Sequence, residues 1–264
     1  MGWQDVTPSE AVEAADWIPG RLNPFAKNVG SIVPKEFEAY ARIFHPGTER
    51  ASDREAPTLE VRWAEVAARS GKIAHPEMQF HAIAPPPISR WYGLEPAVFE
   101  PRLGILSPGQ AGALVELLSQ HTATPNACWL CLWEGYGYNN TAMSLTAVWV
   151  GGEHEPPPPQ APQRPPGAAQ FGELLKHRKR VQLPGRGYLL FKGSVVQARG
   201  WEDGPNLWWP EDRAWCVASE IDFPYTYVGG SRTLIDDILR HPDLEALPAT
   251  VDDGVNANSD KINS

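Results

Sequence analysis

Between residues 205 and 231 the chain reads PNLWWPEDRAWCVASEIDFPYTYVGGS, packing Trp208, Trp209, Trp215, Phe223, Tyr225 and Tyr227 among Glu211, Asp212, Arg213, Glu220 and Asp222. Large aromatics bury the most apolar area per residue and also dominate recognition surfaces. Such a segment has to be a central strand of the core, the floor of a binding site, or both. With 27 Pro and 23 Gly in 264 residues, the rest of the chain suits short elements joined by many loops and excludes a helical bundle.

Helical spacing recurs along the first half. In PKEFEAYARIF (34–44) Phe37, Tyr40, Ala41 and Phe44 fall on one helical face, Pro34 suits the first turn and His45-Pro46-Gly47 would stop the element, so a helix is expected. His45 and His241 then read as helix-terminal residues. A shorter helix is expected near 9–17. VRWAEVAARS (61–70) repeats the pattern, with Trp63, Val66 and Ala67 inward and Gly71 as cap. Residues 72–106 are Pro-rich and read mostly as loop. The best-marked helix is 107–121, where Ser107, Pro108 and Gln110 spell a capping box.

Strands are expected at 127–134 (ACWLCLWE) and 144–150 (SLTAVWV), paired as a hairpin, and again at 187–192 and 214–221. A short helix at 195–198 and another at 231–241, with Leu234, Ile235, Ile238 and Leu239 inward, complete the pattern; the tail 251–264 shows no periodicity. The fold class is therefore α+β: an antiparallel or mixed sheet with helices packed on one face and many Pro/Gly-rich loops. A single domain over 1–264 is expected, interrupted by the polyproline-like spacer EHEPPPPQAPQRPPG at 153–167; the alternative is two subdomains, 1–152 and 168–264.

Chemistry-bearing patterns are few. Cys128 and Cys131 form C-x-x-C inside a strand, which sends their thiols to opposite faces and makes them core residues rather than a redox or zinc pair. His75 and His81 match no ligand spacing, so neither a metal nor a cofactor is expected. Gly229-Gly230-Ser231 reads as a turn with Ser231 as N-cap. Glu220 and Asp222 share a strand face and could do acid–base work, or could be a solvent-exposed pair at a strand end or a pair that receives a cation from a partner. The basic run at 176–180 reads as a solvated loop or an intramolecular partner for the acidic tail.

The formal net charge of −9 argues against a protein that binds nucleic acid by neutralising phosphates, and suits a basic protein partner. Three Cys favour a reducing compartment, and without a basic start, an apolar leader or a run of 18 apolar residues the reading is of a cytoplasmic protein, with no membrane association.

In the phrases FEAYARIFHP, CWLCLWEGYG, NLWWPEDRAWCVASEID and TYVGGS the chain resembles a group of uncharacterised actinobacterial proteins; the likeness implies no activity and transfers no catalytic residue. VPKEFEAYARIF is also similar to the SUKH superfamily of toxin-immunity and interaction proteins, which place a Pro-led helix ahead of a sheet. That likeness implies an immunity-like role. The leading expectation is an acidic, cytosolic binding protein using an aromatic–acidic surface of Trp208, Trp209, Glu211, Asp212 and Asp222. The rival is an enzyme or small-molecule binder whose pocket is lined by the same aromatics, Tyr225 among them, with Arg213, Glu220 and Asp222 at its mouth. A third possibility is that the tryptophans are purely structural.

Overall fold

Strands buried on both faces read as nearly continuous apolar runs, because each successive side chain enters a different core. The computed structural model describes residues 6–49, 59–84, 98–136, 176–199, 201 and 204–263. Its strands are β1 (Thr7–Pro8), β2 (Ala39–Phe44), β3 (Gly47–Glu49), β4 (Leu59–Val61), β5 (Val98–Phe99), β6 (Cys128–Trp133), β7 (Val181–Leu183), β8 (Arg186–Gly193), β9 (Leu207–Pro210), β10 (Cys216–Ala218), β11 (Tyr225–Gly230) and β12 (Ala246–Ala249). Its α-helices are α1 (Trp63–Arg69), α2 (Phe80–Ile83), α3 (Pro108–Gln120), α4 (Val195–Ala198) and α5 (Arg232–Arg240).

Nine strands form one sheet in the order β1-β8-β6-β9-β10-β11-β2-β12, with β7 also paired to β8, and β4-β3-β5 form a small second sheet. Every pairing is antiparallel. Strands from before and after 153–167 alternate in the large sheet: β6 lies between β8 and β9, and β2 between β11 and β12. The chain is thus an α+β protein. The spacer itself lies outside the described residues, as does the expected strand at 144–150. The expected hairpin between 127–134 and 144–150 is nevertheless not how β6 is paired, because β8 and β9 occupy its two edges.

Alternation sorts side chains into two cores. Ala41, Ile43, Leu130, Phe191, Trp208, Trp215, Val217 and Val228 face a first core, closed by α3, α4 and α5. Tyr40, Phe44, Trp129, Cys131, Trp209, Cys216, Tyr225 and Tyr227 face a second. That opposite face is also covered, by Trp63, Val66 and Ala67 of α1, by Phe80 and Ile83 of α2, and by Ile18 and Val29 from the lead-in, where the expected helix at 9–17 is a 3-10 turn, Val12–Ala15.

The largest departure from expectation is at 34–44. The helix expected there is an irregular lead into β2, whose six residues are hydrogen-bonded to β11 on one side and β12 on the other. Tyr40, Ala41 and Phe44 satisfy helical spacing by coincidence. Their actual partition, Ala41 and Ile43 to one core and Tyr40, Arg42 and Phe44 to the other, has period two. Two flanking strands satisfy the backbone of β2 along both edges, which a helix in the middle of a sheet would leave unpaired. The phrase that carries the SUKH likeness is therefore a strand and not a Pro-led helix.

Arg42 is the unusual occupant of the second core. It is 1% exposed, its guanidinium lies 3.6 Å from the Tyr225 ring centroid and 4.7 Å from that of Phe44, and it donates to the carbonyls of Pro76 and Met78. Cation–π contact and carbonyl acceptors hold it, and among the described residues no carboxylate is paired with it.

Helix ends follow their cap chemistry. Ser107 accepts from the Gln110 N–H while Gln110 reaches back to the Ser107 N–H, as expected. Ser231 caps α5 by accepting from the Leu234 N–H. Gly71, at φ +66°, ends α1. The other end of α1 is capped from a distance: the Glu245 carboxylate accepts from the N–H groups of Trp63 and Ala64, both at 2.6 Å. Nor is the tail loose. Asp260, 3% exposed, accepts from His75 Nε2 at 2.9 Å, from the Gln79 N–H and from Asn263, stitching the C-terminal segment to the 72–79 loop. Among the described residues no helix is long and apolar enough to cross a membrane.

Candidate functional site

The aromatic segment supplies three adjacent strands, β9, β10 and β11, at the middle of the large sheet. Period-two alternation sends Trp208 into the first core, edge-on to Trp215 at 5.2 Å, and Trp209 into the second, edge-on to Trp17 at 6.0 Å. They are 4% and 1% exposed. Tyr225 is 1% exposed and donates its hydroxyl to the Val255 carbonyl at 2.8 Å. Trp208 and Trp209, the aromatics of the expected recognition surface, are thus buried on opposite sides of the sheet, and Tyr225, expected in the rival pocket, is buried as well.

The charged residues of that surface are engaged within the chain. Glu211 accepts from Trp129 Nε1 at 2.8 Å and lies 3.8 Å from Lys192. Asp212 accepts from the Ala123 N–H at 2.7 Å, the Ala214 N–H at 3.1 Å and the Thr122 hydroxyl at 2.8 Å; partial burial opposes its ionisation, but these donors hold its carboxyl below the usual range. Arg213, at φ +55°, lies over the Trp17 ring at 5.5 Å. Glu220 and Asp222 are bridged by one guanidinium, with Arg186 Nη2 at 2.6 Å from the first and 3.1 Å from the second. The cation that this pair receives comes from β8 of the same chain. Glu211, Asp212 and Arg213 follow β9, whereas Glu220 and Asp222 follow β10, so antiparallel pairing puts the two groups at opposite ends of these strands.

What the structure does assemble around Trp208 is a pocket of about 250 Å³ on the first face. Trp208 and Ser219 form its floor. Pro108, Ala111 and Val115 reach it from one face of α3, and Ala198 from α4. Ile105 and Leu106, in the loop leading to α3, and Trp201, after α4, close the sides. Arg102 and Arg199 stand on its rim, both exposed, and among the described residues no carboxylate lines it. Among the described residues neither guanidinium has an ion pair, and Trp201 Nε1 is buried without a hydrogen-bond partner.

The loop reaches this position through Gly104, at φ +71°, a conformation that costs an L side chain dearly. A Cβ there would also stand 2.9 Å from the Ile221 Cα. The Gly104 N–H donates to the Phe223 carbonyl at 2.8 Å, tying the loop to the end of the aromatic segment.

A hydrogen-bonded chain leads from the pocket floor into the sheet. Ser219 Oγ lies 2.7 Å from Thr226 Oγ1, which lies 2.9 Å from His45 Nε2, while His45 Nδ1 lies 2.8 Å from the Arg102 carbonyl. The carbonyl can only accept, so Nδ1 carries the proton and Nε2 accepts from Thr226. His45, expected at a helix end, is instead fully buried just beyond β2. Burial, reinforced by the nearby Arg102 and Arg42 charges, pushes its pKa down to about 4.

Two other open clefts are lined differently. One of about 320 Å³ beside α1 contains Glu60, Asp243 and Glu245, and one of about 230 Å³ contains His81, Glu100 and Asp222. Glu245 is committed to capping α1 and Asp222 to Arg186. Cys128 and Cys131 do face opposite cores, and burial raises both thiols, Cys128 to about 12. In the basic run, Arg178 is paired with Glu10 and Arg180 with Glu134. Among the described residues no group of three or more His, Cys, Asp or Glu is placed to hold a metal ion.

Trp208 is thus the one expected site residue on the pocket wall. Arg102, Arg199 and Trp201 carry no local signal, being single residues in or beside loops that only the tertiary fold brings together. Comparison of the chain with protein-family models, with curated proteins and with solved structures finds no match.

Proposed function

We propose that this protein binds a small apolar molecule in the pocket between α3, α4 and the Trp208–Ser219 floor. The supporting observation is the convergence on one concavity of apolar side chains from α3, α4 and two loops over a buried tryptophan, with unpaired polar groups at the rim. Ligand sites characteristically combine a mostly apolar lining with a few orienting polar groups. At the ~30 Å³ that a water molecule occupies in the liquid, the cavity suits a ligand of roughly eight non-hydrogen atoms.

Calorimetric titration with octan-1-ol tests this reading. Saturable one-to-one binding is expected, and Ala111→Phe, which extends a ring from the half-buried wall of α3 into the cavity, is expected to abolish it at unchanged circular dichroism. Absence of saturable binding, or equal binding by the filled variant, would overturn it.

A further inference from the structure

Taking this pocket to be a ligand site, we infer that its preferred ligand is an organic monoanion, a carboxylate on an apolar or aromatic body, with the charge at the rim between Arg102 and Arg199. The protein carries a net charge of −9, yet among the described residues the polar side chains of this lining are two arginines, one hydroxyl and one indole N–H, with no carboxylate. Arginines elsewhere are mixed: Arg21 is paired with Glu36, Arg69 with Glu49 and Glu65, and Arg178 with Glu10, whereas exposed Arg62, Arg213 and Arg232 have no ion pair among the described residues. Arg102 and Arg199 have no ion pair among the described residues either, but these two stand on one concavity, and two guanidinium groups on an acidic molecule make a local field that attracts anions against the overall charge.

The remaining groups agree with that sign. Trp201 Nε1 is a donor with no acceptor, and a buried donor left unpaired costs stability that an acceptor atom of a ligand would restore. Pro108 and Ala111 bring the N-terminal turn of the 13-residue α3 to the wall, the end of a helix at which negative charge is favoured. The Ser219 hydroxyl belongs to the chain ending at His45: with Thr226 donating to Nε2, Ser219 donates to Thr226 and offers only lone pairs to the cavity. A carboxylate at the floor would meet those lone pairs, whereas at the rim it meets guanidinium groups that deliver paired hydrogen bonds. The geometry therefore orients the ligand, body on Trp208 and charge outward. The arginines are exposed, so the ligand's charge stays partly hydrated and avoids the cost of full burial.

The test compares octanoate, octan-1-ol and octylamine, three probes with one body and different heads, against the wild-type protein and an Arg102→Gln/Arg199→Gln double variant by calorimetry at low salt. Octanoate is expected to bind at least tenfold more tightly than octan-1-ol, and octylamine more weakly than either. The double variant is expected to lose the octanoate advantage and keep octan-1-ol binding. Equal affinities of octanoate and octan-1-ol for the wild type, or a preference that survives in the double variant, would overturn the anion inference while leaving the pocket reading intact. Failure of all three probes would overturn both.

Discussion

His45 offers a way to weigh the buried chain beneath the pocket. Its imidazole donates to the Arg102 carbonyl and accepts from Thr226, so a second proton would need an acceptor at Nε2 where a hydroxyl already donates. Burial, with the positive charges of Arg102 and Arg42 nearby, depresses the folded-state pKa from 6.5 to about 4. In the unfolded chain the same imidazole titrates at its ordinary value, so between the two values the unfolded state binds more protons, and stability falls as pH falls. The gap between 6.5 and about 4, at about 1.4 kcal/mol per pH unit, amounts to about 3 kcal/mol. The stabilisation is complete above pH 6.5 and is lost progressively down to about pH 4. Urea unfolding followed by tryptophan fluorescence from pH 7.5 to pH 4 would read it, with His45→Gln as the comparison, because Gln cannot titrate and the other groups cancel in the difference. Wild type is expected to lose about 3 kcal/mol more than the variant over that range, whatever the variant's stability at neutral pH. Parallel curves would refute a neutral, buried His45.

Gly104→Ala is expected to destabilise by about 2 kcal/mol, since it combines a left-handed backbone with a backbone contact at Ile221, and to weaken octan-1-ol binding by displacing the loop; thermal unfolding and calorimetry check the two effects. Asp260→Asn is expected to cost about 1–3 kcal/mol at pH 7, because it removes an acceptor shared by His75, Gln79 and Asn263. Hydrogen exchange at the Gln79 and Asn263 amides should accelerate, and unchanged protection would contradict a latched tail. Trp209→Ala, which empties a site 1% exposed, is expected to cost about 3–5 kcal/mol by urea unfolding without altering ligand affinity.

Legibility tracked how local the determining physics was. Ser107 with Gln110, Ser231 and Gly71 announce helix ends because capping is settled within a few residues. The strands β6 and β8 were legible from their apolar, aromatic-rich runs. AYARIF was not, because a strand buried on both faces has no polar side to betray its period, and Phe37 completed a false helical face. The tail looked featureless since what orders it lies in the 72–79 loop, far away in sequence. The tryptophans of 205–231 were recognisable as important, but their division between two cores depends on β9 being flanked by both β6 and β10. The pocket was the least legible feature: Arg102, Ala111, Arg199 and Trp201 come from separate elements and acquire meaning only together.

The most direct test of ligand binding at this pocket is a nitrogen–proton correlation spectrum of the tryptophan indoles during titration with octanoate, with cross-peaks identified by single Trp→Phe variants. The Trp201 and Trp208 signals are expected to move saturably, with Trp201, whose N–H lacks a partner, moving furthest. Trp209 and Trp63, both in the second core, should stay in place. Static Trp201 and Trp208 signals, or shifts centred on Trp209, would contradict a ligand site on the first face of the sheet.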